Sequence, residues 1–152
     1  MPRFVSELHV LRTEDGARFA AAWVFDRLSP AAVRLAIGSA GRPVEWVMGR
    51  SLVRDGLRSN RIRPAGEGDV RLHCRRGCKV CDTQPDFVDS PPPVLVVDLV
   101  PPDGRLRLFA DAHIATLFLR ATYELVPERK EQMLLSRQVD TAATWFMRAG
   151  MR

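Results

Sequence analysis

The sequence predicts an α+β fold in which antiparallel strands come first and most helices come late. Short apolar segments broken by turn residues fill the first half of the chain, while most of the helical pattern follows residue 111. Such segregation favours α+β over a sheet that alternates with helices. The chain has 152 residues, 46% of them hydrophobic, which is enough for one domain with its own core and too little for two large domains. We therefore expect residues 1–152 to form a single domain.

Four strands are predicted before residue 50, because apolar residues alternate with others and turn residues separate the segments. Asp15-Gly16 supplies a hairpin turn between the first two, and Gly41-Arg42-Pro43 separates the last two. Trp23 and Trp46 lie on apolar strand faces and are predicted core residues. The predicted strands are Phe4–Arg12, Phe19–Asp26, Val33–Ile37 and Val44–Met48.

A short helix and three further strands are predicted in the middle of the chain. Leu52, Val53 and Leu57 fall on one side of a helix over Ser51–Arg58, with Ser51 as its cap. A strand, Val70–His73, precedes a long surface loop at about residues 73–93 that ends in three prolines. The most apolar strand, Val94–Val100, turns at Pro102-Asp103-Gly104 into a second arm with Leu106 and Leu108, and we expect this hairpin to be central.

A long helix and a short helix are predicted at the C-terminal end. Asp111 can cap the long helix, and Pro127 stops it. The short helix starts at Asp140 and ends at Gly150. The predicted buried stripe of the long helix consists of Ile114, Leu117, Phe118, Ala121 and Leu125.

The charge pattern limits the partners without selecting one. The net charge is +5, and the 23 basic residues are 21 arginines and two lysines. This excess permits attraction to nucleic acid, anionic lipid or an acidic protein segment. No apolar run approaches the roughly 20 residues that span a bilayer, and the first residues lack an apolar signal-peptide core. We therefore expect a cytoplasmic protein.

The three cysteines form one cluster. Cys74, Cys78 and Cys81 lie within eight residues, beside His73. Three thiolates and one imidazole can complete a tetrahedral zinc shell. However, adjacent His73 and Cys74 would point to opposite faces of a continuing strand, and the second ligand pair usual in compact zinc sites is missing. Three reduced thiols in a loop, with no cofactor, remain the alternative to zinc.

The spacing Cys-x3-Cys-x2-Cys also resembles the cluster motif of radical S-adenosylmethionine enzymes. We reject that interpretation, because Val80 stands where those enzymes usually have an aromatic residue and the chain is too small for their barrel. Other enzyme signals are poor, since the three histidines are isolated and no nucleophile or phosphate-loop motif occurs. We expect no catalysis and no small-molecule substrate.

A series of arginines offers a nucleic-acid hypothesis. The first four recur at spacings of four, four and three, which would give one basic stripe if the helix ran that far. A solvated helix face is the alternative, because no aromatic residue interleaves to stack bases. The residues are Arg50, Arg54, Arg58, Arg61 and Arg63.

Six short blocks, taken in their order and spacing, resemble the SsgA-like sporulation and cell-division proteins of filamentous actinomycetes. The resemblance runs from about Glu7 to Asp140, and the Glu-Trp-Val, Gly-x-Gly-Asp-Val-Arg and Phe-Leu-x-x-Thr…Val-Pro blocks are specific together. The blocks are Phe25-Asp26-x-x-Ser29-Pro30-x-Ala32-Val33, Val44-Glu45-Trp46-Val47, Arg50-x-Leu52-Val53-x-x-Gly56-Leu57, Pro64-x-Gly66-x-Gly68-Asp69-Val70-Arg71, Pro102-x-Gly104 and Phe118-Leu119-x-x-Thr122-x-x-x-Val126-Pro127.

The resemblance implies a non-enzymatic adaptor or regulator of sporulation-specific cell division, acting at septum formation by protein–protein contacts. Its implied partners are the division protein FtsZ or septal membrane proteins, and a second or third copy of itself in a homotrimer. The implied fold is whirly-like, a barrel-like arrangement of antiparallel sheets packed with a long and a short C-terminal helix. The implied location is the cytoplasm, with recruitment to the septum. No binding residue transfers, because the shared pattern consists of core and turn residues.

Two departures from the family pattern point to a different partner surface. Ser29-Pro30-Ala31 stands where relatives usually have Asp-Pro-Tyr, and the cysteine-bearing loop is longer than the usual connection. A whirly-type protein that binds single-stranded nucleic acid through the five arginines is the alternative function. A metal-dependent redox sensor built on the cysteines is a third hypothesis.

Overall fold

The computed structural model describes residues 2–38, 41–66, 68–75 and 92–136. Within these ranges the chain forms seven strands and two complete helices, and a third helical segment covers 128–136. In chain order the elements are β1 (Phe4–Thr13), β2 (Arg18–Asp26), β3 (Ala32–Ile37), β4 (Val44–Gly49), α1 (Arg50–Arg58), β5 (Val70–Arg75), β6 (Val94–Leu99), β7 (Leu106–Asp111), α2 (Ala112–Leu125) and α3 (128–136).

The seven strands form one antiparallel sheet in the order β4-β3-β2-β1-β7-β6-β5, which curls into a half-barrel. The predicted α+β class is thereby confirmed. Within the sheet, β1–β4 and β5–β7 are two separate meanders. They meet at only two residue pairs, Arg12 with Phe109 and Thr13 with Leu108. Beyond these pairs β1 and β7 separate and are no longer paired.

The core lies between one face of the sheet, here called the inner face, and the helices. Side chains alternate along each strand, so Trp23, Phe25 and Leu35 point inward and are fully buried. The Trp23 ring stacks on Phe118 of α2, with centroids 6.0 Å apart. The prediction that Trp23 is a core residue is confirmed, and Trp46 is half-buried and packs against the same core. Burial of these aromatic side chains supplies much of the hydrophobic stabilisation.

The hairpin β6–β7 is not at the centre of the sheet, because β6 is next to the edge strand β5. Residues Leu95 to Leu99 are nevertheless all buried, as expected for the most apolar strand. The predicted strand bounds agree with the structure to within one residue, except at β5. That strand continues to Arg75 instead of ending at His73, because its pairing with β6 runs on to Val94. The predicted start of the long loop at residue 73 is therefore wrong.

The buried face of α2 differs from the predicted stripe. Asp111 caps the helix as predicted, since its carboxylate accepts hydrogen bonds from the backbone N–H groups of His113 and Ile114. Leu117, however, is exposed. The strand β7 runs into the helix without a loop, which fixes the helical phase and places small residues against the sheet. The buried residues of α2 are Ala112, Ala115, Phe118, Leu119 and Thr122.

The start of α1 also differs from the prediction. The helix begins at Arg50, follows Gly49 directly and has no side-chain cap, so Ser51 is not its cap. The Arg50 N–H instead donates to the Ala31 carbonyl at 2.8 Å. The predicted helix that starts at Asp140 lies outside the described residues. Among the helices that the structure describes, none is long and apolar enough to cross a membrane.

Candidate functional site

The face of β1–β4 opposite the core, here called the outer face, carries exposed apolar side chains. Even-numbered residues of β1 point away from the core, and Leu8 is 80% exposed while Phe4 and Val10 are half-exposed. Val47 on β4 is also exposed. Single exposed apolar residues are normal, but several on one sheet face are typical of a surface that contacts another macromolecule. The outer face is therefore the first candidate contact surface.

A groove of about 510 Å³, here called the β1–β7 groove, opens beside the place where the two meanders part. The register, if it continued, would place Leu11 opposite Ala110 and Val10 opposite Asp111, but the pairing stops at Arg12 and Phe109. The volume is in the range of roughly 300–1,000 Å³ that is usual for ligand pockets. Its lining includes His9, Arg12, Arg18, Phe109, Asp111 and Ile114.

His9 lines this groove as a buried histidine. Its ring lies parallel to the Trp23 indole, with 5.8 Å between centroids. Neither ring nitrogen has a hydrogen-bond partner among the described residues. Burial lowers the pKa of His9, while the Glu7 backbone and the Asp111 and Glu7 carboxylates act in the opposite direction without reversing it. The ring is therefore neutral at pH 7, with one donor and one acceptor left unsatisfied.

The charged side chains of the groove are mostly basic. Arg12 and Arg18 are opposite one another in the β1–β2 register. Neither forms an ion pair with another residue in the part of the chain that the structure describes. Arg75 lies with its guanidinium 5.1 Å from the centre of the Phe109 ring. Like charges on directly opposed residues are unfavourable. The opposed residues Arg12 and Arg18 therefore favour the binding of an anion.

Beside the groove, the outward side of β5–β7 holds a closed ion-pair cluster. The Asp98 carboxylate accepts hydrogen bonds from Arg107 Nε at 2.7 Å and from Arg105 at 3.3 Å. Burial opposes ionisation of Asp98, but Arg107 and Arg105 together outweigh it and lower its pKa. Burial lowers the pKa of neighbouring His73, and the attraction of Asp98 acts in the opposite direction without reversing it. Asp98, Arg105 and Arg107 satisfy one another and have a structural role.

The predicted zinc ligands do not converge among the described residues. His73 and Cys74 are consecutive on β5, and both are buried. Their side chains point to opposite faces of the sheet, with Cys74 in the hydrophobic core. Cys78 and Cys81 lie outside the described residues. In the described ranges, no three His, Cys, Asp or Glu side chains are close enough to hold a metal ion.

The five arginines of the nucleic-acid hypothesis do not form one stripe. Arg50 is fully buried, and Arg54 pairs with Asp55 and with Glu128 of α3. The helix ends at Arg58, so Arg61 and Arg63 are not on it. Arg58, Arg61 and Arg63 are exposed. The helical stripe that motivated the hypothesis is therefore absent from the described structure.

Sequence reasoning missed the β1–β7 groove. His9, Arg12 and Arg18 come from one end of the chain and Phe109 and Asp111 from the other, and no local pattern links them. The only available signal was the pair of arginines that flank the predicted Asp15-Gly16 turn. A turn at that place requires Arg12 and Arg18 to be close together.

The comparisons with known proteins point to one family. The model of the SsgA family, which describes a Streptomyces sporulation and cell division protein, matches residues 19–131. SsgB of Kineococcus radiotolerans, a sporulation-specific cell division protein, is 34% identical over 102 residues, which cover 67% of this chain and 53% of that protein. SsgB of Saccharopolyspora erythraea is 35% identical over 122 residues, or 79% of this chain and 72% of that protein. The chain thus spans about half the length of the Kineococcus relative.

Two solved structures share the fold. SsgB of Streptomyces coelicolor, whose mutations correlate with longitudinal cell division during sporulation, superposes with a TM-score of 0.69 at 30% identity. The match covers 86% of this chain and 94% of that one. An SsgA-like sporulation-specific cell division protein of Thermobifida fusca gives a TM-score of 0.67 at 27% identity, over 93% of this chain and 95% of that one. With a family model that matches more than half of its residues, this chain belongs to the SsgA family.

Proposed function

We propose that this protein is a non-enzymatic adaptor or regulator of sporulation-specific cell division, which acts at septum formation by binding other proteins. Membership of the SsgA family is the observation that carries the proposal. The matched residues, 19–131, include most of β2 and all of β3 to β7, whereas β1 with Leu8 precedes them.

The exposed surface supports a role that depends on protein contacts. Specific interfaces place apolar side chains at the centre and polar side chains at the rim. The outer face carries both kinds of side chain, since exposed Leu8 on β1 and Val47 on β4 share it with Arg34 and Glu45, which form an exposed ion pair at 3.8 Å. An adaptor needs such a surface and no catalytic group.

The proposed partners are proteins of the division machinery, such as FtsZ or septal membrane proteins. We also propose that the chain self-associates as a trimer and that it is a cytoplasmic protein recruited to the septum. The net charge of +5 favours an acidic partner surface, because complementary charge accelerates encounter and suppresses wrong partners.

Deletion and complementation in the sporulating host test the proposal. The complementing genes would encode the natural protein, Leu8→Asp on the outer face, and Leu28→Asp as a matched control. Leu28 is 63% exposed and lies in the turn between β2 and β3. Both substitutions should change the free energy of unfolding by less than about 0.5 kcal/mol, because the sites are exposed.

We expect the deletion strain to form irregular or missing sporulation septa, counted by membrane staining. The natural gene and Leu28→Asp should restore regular septa, and Leu8→Asp should not. Normal septa in the deletion strain would contradict a role in division. Full complementation by Leu8→Asp would contradict the use of the outer face.

A further inference from the structure

We propose that the β1–β7 groove binds an extended acidic peptide segment of a partner protein. In this arrangement Arg12 and Arg18 pair with carboxylates of the segment, and an apolar side chain of the segment packs against Phe109 and Ile114. The inference deepens the proposed function and rests on it, since it assigns the groove and the chemistry by which an adaptor would hold its partner.

The backbone beside the groove is suited to an extended chain. The pairing of β1 with β7 stops at Arg12, so the edge of β1 that precedes Arg12 has no strand from β7 beside it. Its other edge pairs with β2 along the whole strand, from Phe4 to Arg12. An unpaired strand edge offers N–H and C=O groups to an added peptide strand. The volume of about 510 Å³ accommodates a few residues of such a segment.

The charges beside the groove select an anionic segment. Arg12 and Arg18 are opposed on neighbouring strands and free of ion pairs with described residues, and Arg75 lies over the nearby Phe109 ring. The only carboxylate that lines the groove within the described ranges is that of Asp111, whose Oδ1 is engaged in capping α2. A carboxylate on a bound segment would relieve the repulsion between the two guanidinium groups and form charge-assisted hydrogen bonds with them.

The mixture of groups favours a peptide over a nucleic acid. A phosphate backbone offers acceptors only and therefore supplies no hydrogen-bond donor to the Asp111 carboxylate. A peptide also offers backbone N–H donors, which that carboxylate can accept. Binding of single strands depends on free aromatic faces, and a face of Phe109 is already covered by Arg75.

The test is an NMR titration of the full-length, ¹⁵N-labelled protein with a defined probe. The probe is an amidated decapeptide of alternating aspartate and valine, and the control peptide has asparagine in place of each aspartate. We expect the largest shifts at the amides of Val10, Phe109 and Ile114 and at the His9 ring, and weaker binding as salt is added. The asparagine peptide should cause no shifts at the same concentration.

Two double variants separate a specific site from general attraction. Arg12→Glu with Arg18→Glu should weaken peptide binding by about tenfold or more, since it replaces attraction by repulsion. Arg27→Glu with Arg42→Glu makes the same change of net charge in two exposed turns and should leave binding within about twofold. All four side chains are exposed, so both variants should fold, which circular dichroism verifies.

Several results would overturn the assignment: no shifts at millimolar peptide, shifts confined to other surfaces, or equal weakening by the two double variants. Equal shifts with inorganic phosphate, or stronger ones with oligothymidine, would identify a different ligand and overturn it as well. If the peptide fails to bind but septa depend on the protein, only the groove assignment is wrong. If the peptide binds but septa form normally without the protein, only the proposed function is wrong.

Discussion

Replacing Arg50 by methionine should destabilise the protein by about 3–5 kcal/mol, because it removes one side of a buried ion pair. The Arg50 side chain is fully buried, and its guanidinium donates to the Glu131 carboxylate from both Nε, at 3.0 Å, and Nη2. Glu131, on α3, is itself buried. Without Arg50 that carboxylate would stay in an apolar region with no counter-ion.

Arg50 also satisfies the end of α2. Its Nη1 group donates to the carbonyl oxygens of Thr122 at 3.0 Å and Val126 at 2.7 Å. The Thr122 carbonyl also accepts a hydrogen bond from the Val126 N–H at 2.9 Å, so Arg50 adds a second donor there. A cation at the end of a helix interacts favourably with the helix dipole. The guanidinium lies 4.1 Å from the centre of the Tyr123 ring and 5.2 Å from that of Phe25. One side chain thus connects α1, α2 and α3 to the sheet.

The assay is urea unfolding followed by tryptophan fluorescence, since Trp23 is fully buried. Arg58→Met, an exposed arginine on the same helix, is the matched control and should change the free energy of unfolding by less than about 0.5 kcal/mol. The double variant Arg50→Met with Glu131→Leu should recover about 1–3 kcal/mol of the loss, because no unpaired charge remains. A loss below about 1 kcal/mol for Arg50→Met, or no coupling with Glu131→Leu, would refute this role.

Three further changes test other parts of the fold. Asp111→Ala should cost about 0.5–2 kcal/mol by removing the α2 cap, while Asp103→Ala, in an exposed turn, should be neutral in the same urea assay. Gly56→Ala should destabilise by about 1–3 kcal/mol although alanine favours helices, because its Cβ would lie 2.4 Å from Leu72 Cβ. The pKa of His9 is lower in the folded protein than in the unfolded chain, so the unfolded chain binds the proton more readily. The free energy of unfolding should therefore fall as the pH drops below about 6.5. His9→Phe should make the free energy of unfolding less dependent on pH in this range, and an unchanged dependence would contradict the burial effect.

The local parts of the fold could be predicted from sequence because their causes are local. Alternation and turn residues located the strands, and Asp111 and Pro127 located the ends of α2. The buried face of α2 was predicted wrongly, since a stripe of apolar residues leaves out Thr122. This residue can be buried because its hydroxyl donates to the Leu119 carbonyl at 2.7 Å. The direct continuation from β7, not the apolar pattern alone, sets the helical phase.

The groove and the buried arginine could not be predicted, because both depend on pairings far apart in the sequence. Arg12 meets Phe109 only because β1 and β7 are neighbours in the sheet. Arg50 begins a run of regularly spaced arginines that is typical of a solvated helix face. Its burial depends on Glu131, which is 81 residues away. Sequence periodicity carries no information about such contacts.

Imaging of a fluorescent fusion to the natural protein in its sporulating host tests the central proposal most directly. If the protein is an adaptor of sporulation-specific division, the fusion should accumulate at the future septa of sporulating cells before constriction is visible. The Leu8→Asp fusion, at equal abundance, should lose that pattern. A natural fusion that complements the deletion but stays evenly distributed through septation would contradict the account.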